Sequence, residues 1–375
     1  MIYLDHSATT KVHPEVMESF SRANEHFWAN ASSLHHFGAI AENVLFKSSR
    51  QILDLLEATN HSVIYTSGAT ESNNLAIKGL AQLNPGGHII TTAVEHPSVL
   101  EVCHELEKEG WQVSYLDSLT SEIELLNQLE NLVQKNTFLV TCMHVNSEMG
   151  LVLPIKKIGE LLVKYPRIKF HVDAVQSVGK IPINIDDYNI DLLSLSAHKI
   201  YGIKGVGALI LKRNLLLKPQ VIGGGQMDGI RSGTVNVAGG VSLAKALRLV
   251  IENQLTAYER VLEIFNKTRN SLNAIDGVYV NSVFDSQSPY IINFYIEGIK
   301  AETMVHALAD RKIYISAKSA CSSKLQKPSV VMKALGFTEK IAINGLRVSF
   351  AQNTTLEEVE EFINAVKIET QKLRN

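Results

Sequence analysis

A chain of 375 residues can bury a sizeable core and suggests two domains, or one large domain with an appendage. Lys plus Arg total 36 against 38 for Asp plus Glu, so there is no basic excess to drive direct nucleic-acid or anionic-membrane binding. The apolar runs stop well short of the roughly 18 residues that span a bilayer, and MIYLDHSATT has no basic region leading into a hydrophobic stretch; the chain reads as soluble and unexported. Cys103, Cys142 and Cys321 lie far apart with no CxxC pair, which fits a reducing, cytoplasmic setting.

In chain order, β-rich runs alternate with helical stretches from about residue 62 to 212: SVIYTS, HIITTAV, NTFLVTCMHV, IKFHVDAV, DLLSLSA and GALILK. Such alternation predicts parallel strands joined by crossover helices. SVIYTS and TFLVTCMHV are apolar on successive residues, as strands covered on both faces require. From about Val235 to Ile275 there is no proline, and apolar residues recur at helical spacing (Leu243, Leu247, Val250, Ile251, Leu255), which predicts long helices. Beyond them YIINFYIEG, KIYIS and GLRVSF read as strands, and AETMVHALADR, PSVVMKALG and TLEEVEEFINAVKIETQKL as helices. The expected division is a large α/β domain over 14–250 and a smaller α+β domain made of 1–13 and 251–375.

SVIYTSGATESNN reads as a strand, a turn at Gly68 and a helix opening near Ala69. Amides at such a start bind phosphate, with Thr70 adding a hydroxyl. An ordinary capping turn, with Ser67 or Thr70 as cap, explains the same residues. A helix terminus contributes only about 0.3 to 1 kcal/mol to an anion, so cofactor retention needs further anchors. In TTAVEHPSVL, His96 follows a strand, placed to stack on a ring, relay a proton or simply cap locally.

HVDAVQS ends a buried strand at Asp173, where open α/β sheets collect ligands; an acid there pairs with a protonated ring nitrogen or caps the next turn. LLSLSAHK ends another strand at Ser196, His198 and Lys199. A partly desolvated lysine forms a Schiff base with an aldehyde. The glycines and Thr234 of VIGGGQMDGIRSGTVN suit a phosphate-contacting loop or a plain surface connection. His35 and His36 are adjacent, and nothing nearby completes a metal ligand set. Phosphate turn, acid and lysine fall at strand ends in the order of a pyridoxal-phosphate site.

YLDHSATT, SGATESNN, EHPSVL, HVNSEMG, HVDAVQS, SLSAHKIYGIKGVGAL, GGGQMDGIRSGT and SACSS occur in the order found in cysteine desulfurases of the class V aminotransferase superfamily, and the chain resembles that family over essentially its whole length. The resemblance implies fold type I, pyridoxal 5′-phosphate as cofactor and a homodimer. It implies that Lys199 bonds the cofactor aldehyde, Asp173 pairs with the pyridinium nitrogen, His96 stacks on the ring and Gln176 bonds the phenolic oxygen. Thr70, Ser196 and His198 would hold the phosphate, joined by Thr234 of the second subunit, with Asn146 and Arg347 as the substrate-carboxylate clamp.

By composition Cys321, in ISAKSACSSKLQKPSV, is either a reactive thiol or an incidental loop cysteine; its match to the family's SAC motif implies the former. Cys103 and Cys142, on a helix and an apolar strand, read as inert packing residues. The implied reaction converts L-cysteine to L-alanine, leaves sulfur on Cys321 as a persulfide and passes it to a sulfur-acceptor protein. The segments SSKLQKP and VSFAQNTT depart from the commonest family pattern, leaving iron–sulfur supply, tRNA thiolation and thiamine synthesis open as pathways. Selenocysteine lysis, another class V reaction and a catalytically silent scaffold are the alternatives.

Overall fold

The computed structural model describes residues 1–117, 121–317 and 327–374. They form two compact units, a larger one of Lys11–His144 and Leu153–Glu252 and a smaller one of Met1–Thr10, Val145–Val152 and Asn253–Asn375. After β1 (Ile2–Tyr3), the chain enters the larger unit with α1 (Pro14–His26) and α2 (His36–Leu55). Strands and helices then alternate: β2 (His61–Thr66), α3 (Ala69–Ala81), β3 (His88–Thr92), α4 (Pro97–Lys108), β4 (Gln112–Leu116), α5 (Glu122–Leu132), β5 (Thr137–Met143), α6 (Ile155–Leu162) and β6 (Lys169–Asp173). β7 (Leu192–Ser196), β8 (Gly207–Lys212) and α7 (Val237–Glu252) complete the unit.

Its sheet has the order β2-β8-β7-β6-β5-β3-β4. The β7-β6-β5-β3-β4 run is parallel, as the alternation predicts, whereas β8 is antiparallel to both neighbours. A parallel crossover needs a dozen or more residues, usually with a helix. The connection 197–206 holds only a 3-10 turn, Ala197–Lys199, so the chain reverses. Every residue of β5 is buried, as its unbroken apolar run anticipates. β4 is absent from the sequence reading because it is an edge strand paired only with β3, and its outer residues stay partly exposed.

α3 and α4 cover one face through Leu75, Ile77, Leu80, Val99, Val102 and Leu106, packed on Ile64, Ile89, Leu139 and Leu209. Inside the sheet His171 bridges Thr141 Oγ1 at 2.7 Å and Ser194 Oγ at 3.0 Å, so β5, β6 and β7 are laced by side chains as well as backbone. Burial pushes this imidazole down to about 4, keeping it neutral.

In the smaller unit come α8 (Gln254–Asn273), β9 (Val278–Val280), β10 (Ile291–Ile296), α9 (Ala301–Asp310), β11 (Ile313–Tyr314), β12 (Ser316–Ala317), α10 (Val330–Ala334), α11 (Glu339–Asn344), β13 (Leu346–Ser349) and α12 (Leu356–Arg374). A β12-β13-β10-β9 antiparallel sheet packs Phe294 edge-on against Phe362 of α12, ring centroids 6.3 Å apart. The N terminus joins this unit through parallel pairing of β1 with β11 and a bridge from Asp5 to Ser349. Segment 145–152 belongs here too: Val145 pairs with Val152, and Ser282 Oγ donates to the Met149 carbonyl at 2.8 Å. Among the described residues, no helix is long and apolar enough to cross a membrane.

Candidate active site

The larger unit gathers its chemistry at one end of the sheet. Thr66 and Ser196, the last residues of β2 and β7, both pair with Gly207, the first of β8. A Cβ at Gly207 would lie 2.6 Å from Gly68 Cα, and one at Gly68 would lie 3.6 Å from Ser196 Oγ. Gly68 has φ 155° and ψ 178°, a conformation essentially reserved for glycine. It is the N-cap of α3, and no side chain caps that helix, so neither Ser67 nor Thr70 plays the capping part.

Instead Glu71 reaches back to accept the Ser67 N–H at 2.7 Å and receives Arg231 Nε at 2.8 Å. Burial works to raise its carboxyl, but the Arg231 and Ser67 hydrogen bonds outweigh that and hold it below the usual range. The Arg231 ion pair ties the glycine-rich loop carrying exposed Thr234 to the first turn of α3, so this loop is no loose connection.

Asp173 ends β6, nearly buried at 7% exposure. Its Oδ1 accepts from Val175 N at 3.0 Å and its Oδ2 from Asn73 Nδ2 at 2.8 Å. The second Asn73 amide hydrogen goes to Ser98 Oγ at 2.8 Å, and Ser98 Oγ in turn lies 2.8 Å from His96 Nδ1. Ser98 N also donates to that nitrogen at 3.2 Å, making His96 the N-cap of α4. Because the Ser98 N–H donates to Nδ1, that nitrogen is an acceptor, so the Ser98 hydroxyl hydrogen points at it and the neutral ring carries its proton on Nε2. Burial pushes His96 down, Asp173 opposes this, and Lys199 adds to it, so His96 feels both expected partners. It is therefore both the cap and a neighbour of the acid and the lysine.

Lys199 ends the 3-10 turn that follows β7, half-buried, beside half-buried His198. Burial, then Lys199, Lys204 and Lys180, push His198 down to about 4. Three ammonium groups acting on one imidazole, beside an uncapped helix start and the Ser196 hydroxyl, suit a phosphate dianion. The Asp173 carboxylate suits a protonated ring nitrogen. The donor set thus fits pyridoxal phosphate.

Sequence reading passed over Glu95, which is fully buried. Its Oε1 accepts from Thr92 Oγ1 at 2.6 Å and Met143 N at 2.9 Å, while Oε2 has no partner among the described residues. Burial pushes the carboxyl up to about 8 despite those donors, with Asp173 adding to the rise. The folded value lies above the unfolded one, so this group's contribution is full below about pH 4.5 and is lost as pH climbs to about 8. Glu95→Gln keeps the accepting oxygen and never ionises. Its Tm relative to the parent protein should therefore rise between pH 5 and pH 8, by about 3 °C or more. A difference independent of pH in thermal melts would mean that Glu95 is ionised in the fold.

Asn73, Ser98 and Lys180 were also missed; each sits within a quoted motif or a few residues of one, and the partners of Asn73 lie 25 and 100 positions away, whereas Ser98 and Lys180 have partners two and four positions away in His96 and Gln176. Cys103 and Cys142 are buried free thiols. Burial pushes Cys103 up to about 12 and Cys142 well above its ordinary value, so neither supplies a thiolate. His35 uses its Nδ1 to cap α2, accepting from Gly38 N at 3.1 Å.

Asn146 and Arg347 both belong to the smaller unit. Asn146 Oδ1 accepts from Glu148 N at 2.9 Å and Met149 N at 2.7 Å. Arg347, 1% exposed, donates Nη2 to Asp5 Oδ1 and Nη1 to the Ser147 carbonyl at 2.8 and 2.9 Å, and its buried Nε has no partner among the described residues. Asp5 thus holds the guanidinium from the YLDHSATT motif. Cys321 lies outside the described residues.

Comparison with known proteins extends this site to a whole-chain likeness. The family model described as aminotransferase class-V matches residues 2–362. A protein from Escherichia coli O139:H28 named cysteine desulfurase IscS is 40% identical over 381 residues, covering 100% of this chain and 94% of that one. Among solved structures, a NifS-like protein superposes with a TM-score of 0.90 at 30% identity, covering 99% of both chains. SspA in complex with cysteine superposes with a TM-score of 0.80 at 35% identity, covering 95% of this chain and 100% of that one. With Asp173, Ser196 and Lys199 at the sheet end where the motifs predict them, the chain belongs to the aminotransferase class-V family, on its cysteine desulfurase branch, and pyridoxal 5′-phosphate is its cofactor.

Proposed function

We propose that this enzyme takes sulfur from free L-cysteine onto Cys321 and hands it, as a persulfide, to a sulfur-acceptor protein. The observation that carries the reading is the convergence on His96 of Asp173 and Lys199, with the uncapped start of α3 and Ser196 at the same sheet end. The likeness to SspA in complex with cysteine supports cysteine as substrate.

Lys199 would bond the cofactor aldehyde and then, freed by the substrate amine, carry the α-proton. When bound, the cofactor supplies an electron sink for the charge left on the substrate carbon. Asp173 would keep its ring nitrogen protonated, His96 would stack on the ring, and Gln176 would meet the phenolic oxygen. Thr70, Ser196 and His198 would hold the phosphate with Thr234 of a second protomer, and Asn146 and Arg347 would hold the substrate carboxylate.

Cys321 as thiolate would attack the substrate sulfur. The new S–S bond forms as the carbon–sulfur bond breaks. The released electron pair stays with the carbon framework, which takes up a proton at the β-carbon, regains its α-proton from Lys199 and leaves as alanine. The acceptor then serves iron–sulfur cluster assembly, tRNA thiolation or thiamine synthesis in the cytoplasm. The purified holoenzyme should be yellow and form alanine from L-cysteine, faster with a thiol reductant that clears the persulfide. A yellow protein that makes no alanine under those conditions would sink the proposal.

A further inference from the structure

We infer that Lys180 is a positioning residue that locks the Gln176 amide as a one-way donor, so that the oxygen Gln176 meets on the cofactor is held in its anionic form. The inference rests on the reading that Gln176 faces the phenolic oxygen.

After β6 the chain winds through tight turns, with Val178 N donating to the Ala174 carbonyl at 3.0 Å and Lys180 N and Ile181 N to the Ser177 carbonyl at 2.9 Å. Positions 176 and 180 therefore share a side, as residues four apart do on a helix. Both are buried, Gln176 at 4% and Lys180 at 7% exposure, and Lys180 Nζ donates to Gln176 Oε1 at 2.9 Å.

An ammonium has three donors and no acceptor, so the atom of Gln176 that faces it must be the oxygen. The amide NH2 then points the other way, and Gln176 offers only hydrogens there. An ionised phenolic oxygen accepts them with all its lone pairs, whereas a protonated one has a hydrogen of its own to place. The Lys180 charge also polarises the amide and strengthens its donors. That charge is felt across the site, since Lys180 joins Lys199 and Lys204 in acting on His198. Asp173 and His96, which act on each other at the same sheet end, stay unchanged in the variants below.

The test is the pH titration of the visible absorption band of the holoenzyme, which reports the proton shared between Lys199 nitrogen and the phenolic oxygen. Lys180→Met removes both the charge and the clamp, so the midpoint should move upward by about one pH unit. Lys180→Arg should restore it, and the thermal midpoint of the cofactor-free Lys180→Met protein should match that of the parent. Gln176→Leu should move the midpoint in the same direction. An unmoved midpoint in Lys180→Met with a shift in Gln176→Leu would overturn the role of Lys180. An unmoved midpoint in Gln176→Leu would overturn the reading of Gln176 on which it rests. A shift that Lys180→Arg fails to restore, with a lowered thermal midpoint, would make Lys180 a plain structural residue and overturn the inference.

Discussion

Lys199→Ala is expected to yield a folded protein without the visible band of the cofactor-bound enzyme and with alanine formation from L-cysteine reduced at least about a thousandfold. Lys199 stands on the 3-10 turn that closes β7, one strand from Asp173, whose register partner on β7 is Ser194. The short reversal into β8 holds that turn: Ala197 N donates to the Val206 carbonyl at 3.0 Å and Gly202 N to the Ala197 carbonyl at 2.8 Å. Neither bond involves the lysine side chain, so its removal should leave the scaffold in place. In the proposed mechanism two roles would vanish together, the amine that bonds the aldehyde and the base that carries the α-proton. Lys180 and Lys204 also act on His198, which makes rescue by a neighbour the natural objection. Lys180 is bonded to Gln176 at 2.9 Å, directed away from that task. Turnover within tenfold of the parent enzyme in an alanine assay would remove Lys199 from the reaction.

Cys321→Ser should separate sulfur transfer from the preceding steps. The visible band and exchange of the substrate α-proton with solvent should persist, because both depend on Lys199 and Asp173. Alanine formation in the presence of reductant should fall by about a thousandfold or more, since a hydroxyl cannot replace a thiolate as a nucleophile toward sulfur. The other two cysteines offer no bypass: both are fully buried, with the Cys103 thiol pushed up to about 12 and that of Cys142 well above its ordinary value. Equal alanine production by variant and parent would show that the sulfur leaves without passing through Cys321.

Most elements are visible locally in the amino-acid pattern. The helix expected to open near Ala69 begins there, and the proline-free stretch after Val235 forms α7 and α8. YIINFYIEG and GLRVSF contain β10 and β13. Each of these follows from hydrophobic spacing and turn residues within a window of a dozen or so positions. The order of Thr70, His96, Asp173 and Lys199 at strand ends is also a property of the linear chain, once the strands are placed.

Other features needed contacts between distant residues. SGATE offers Ser67 or Thr70 as a cap of α3, whereas the fold makes Gly68 the N-cap, with Glu71 paired to Arg231 from 160 positions away. His96 reads equally well as a cap or a site residue; packing makes it both, through Ser98 and Asn73, whose amide reaches Asp173 across 100 positions. Arg347 stands out as a carboxylate binder, yet its partner Asp5 lies 342 positions earlier.

The sequence by itself therefore determined the α/β class and the positions of most strands and helices, since these depend on short-range periodicity and residue type. Only the tertiary structure decided the edge strand β4, the reversal of β8, the uncapped start of α3 and the buried Glu95. Those depend on which side chains meet after the sheet is assembled, and on burial that no local pattern reveals.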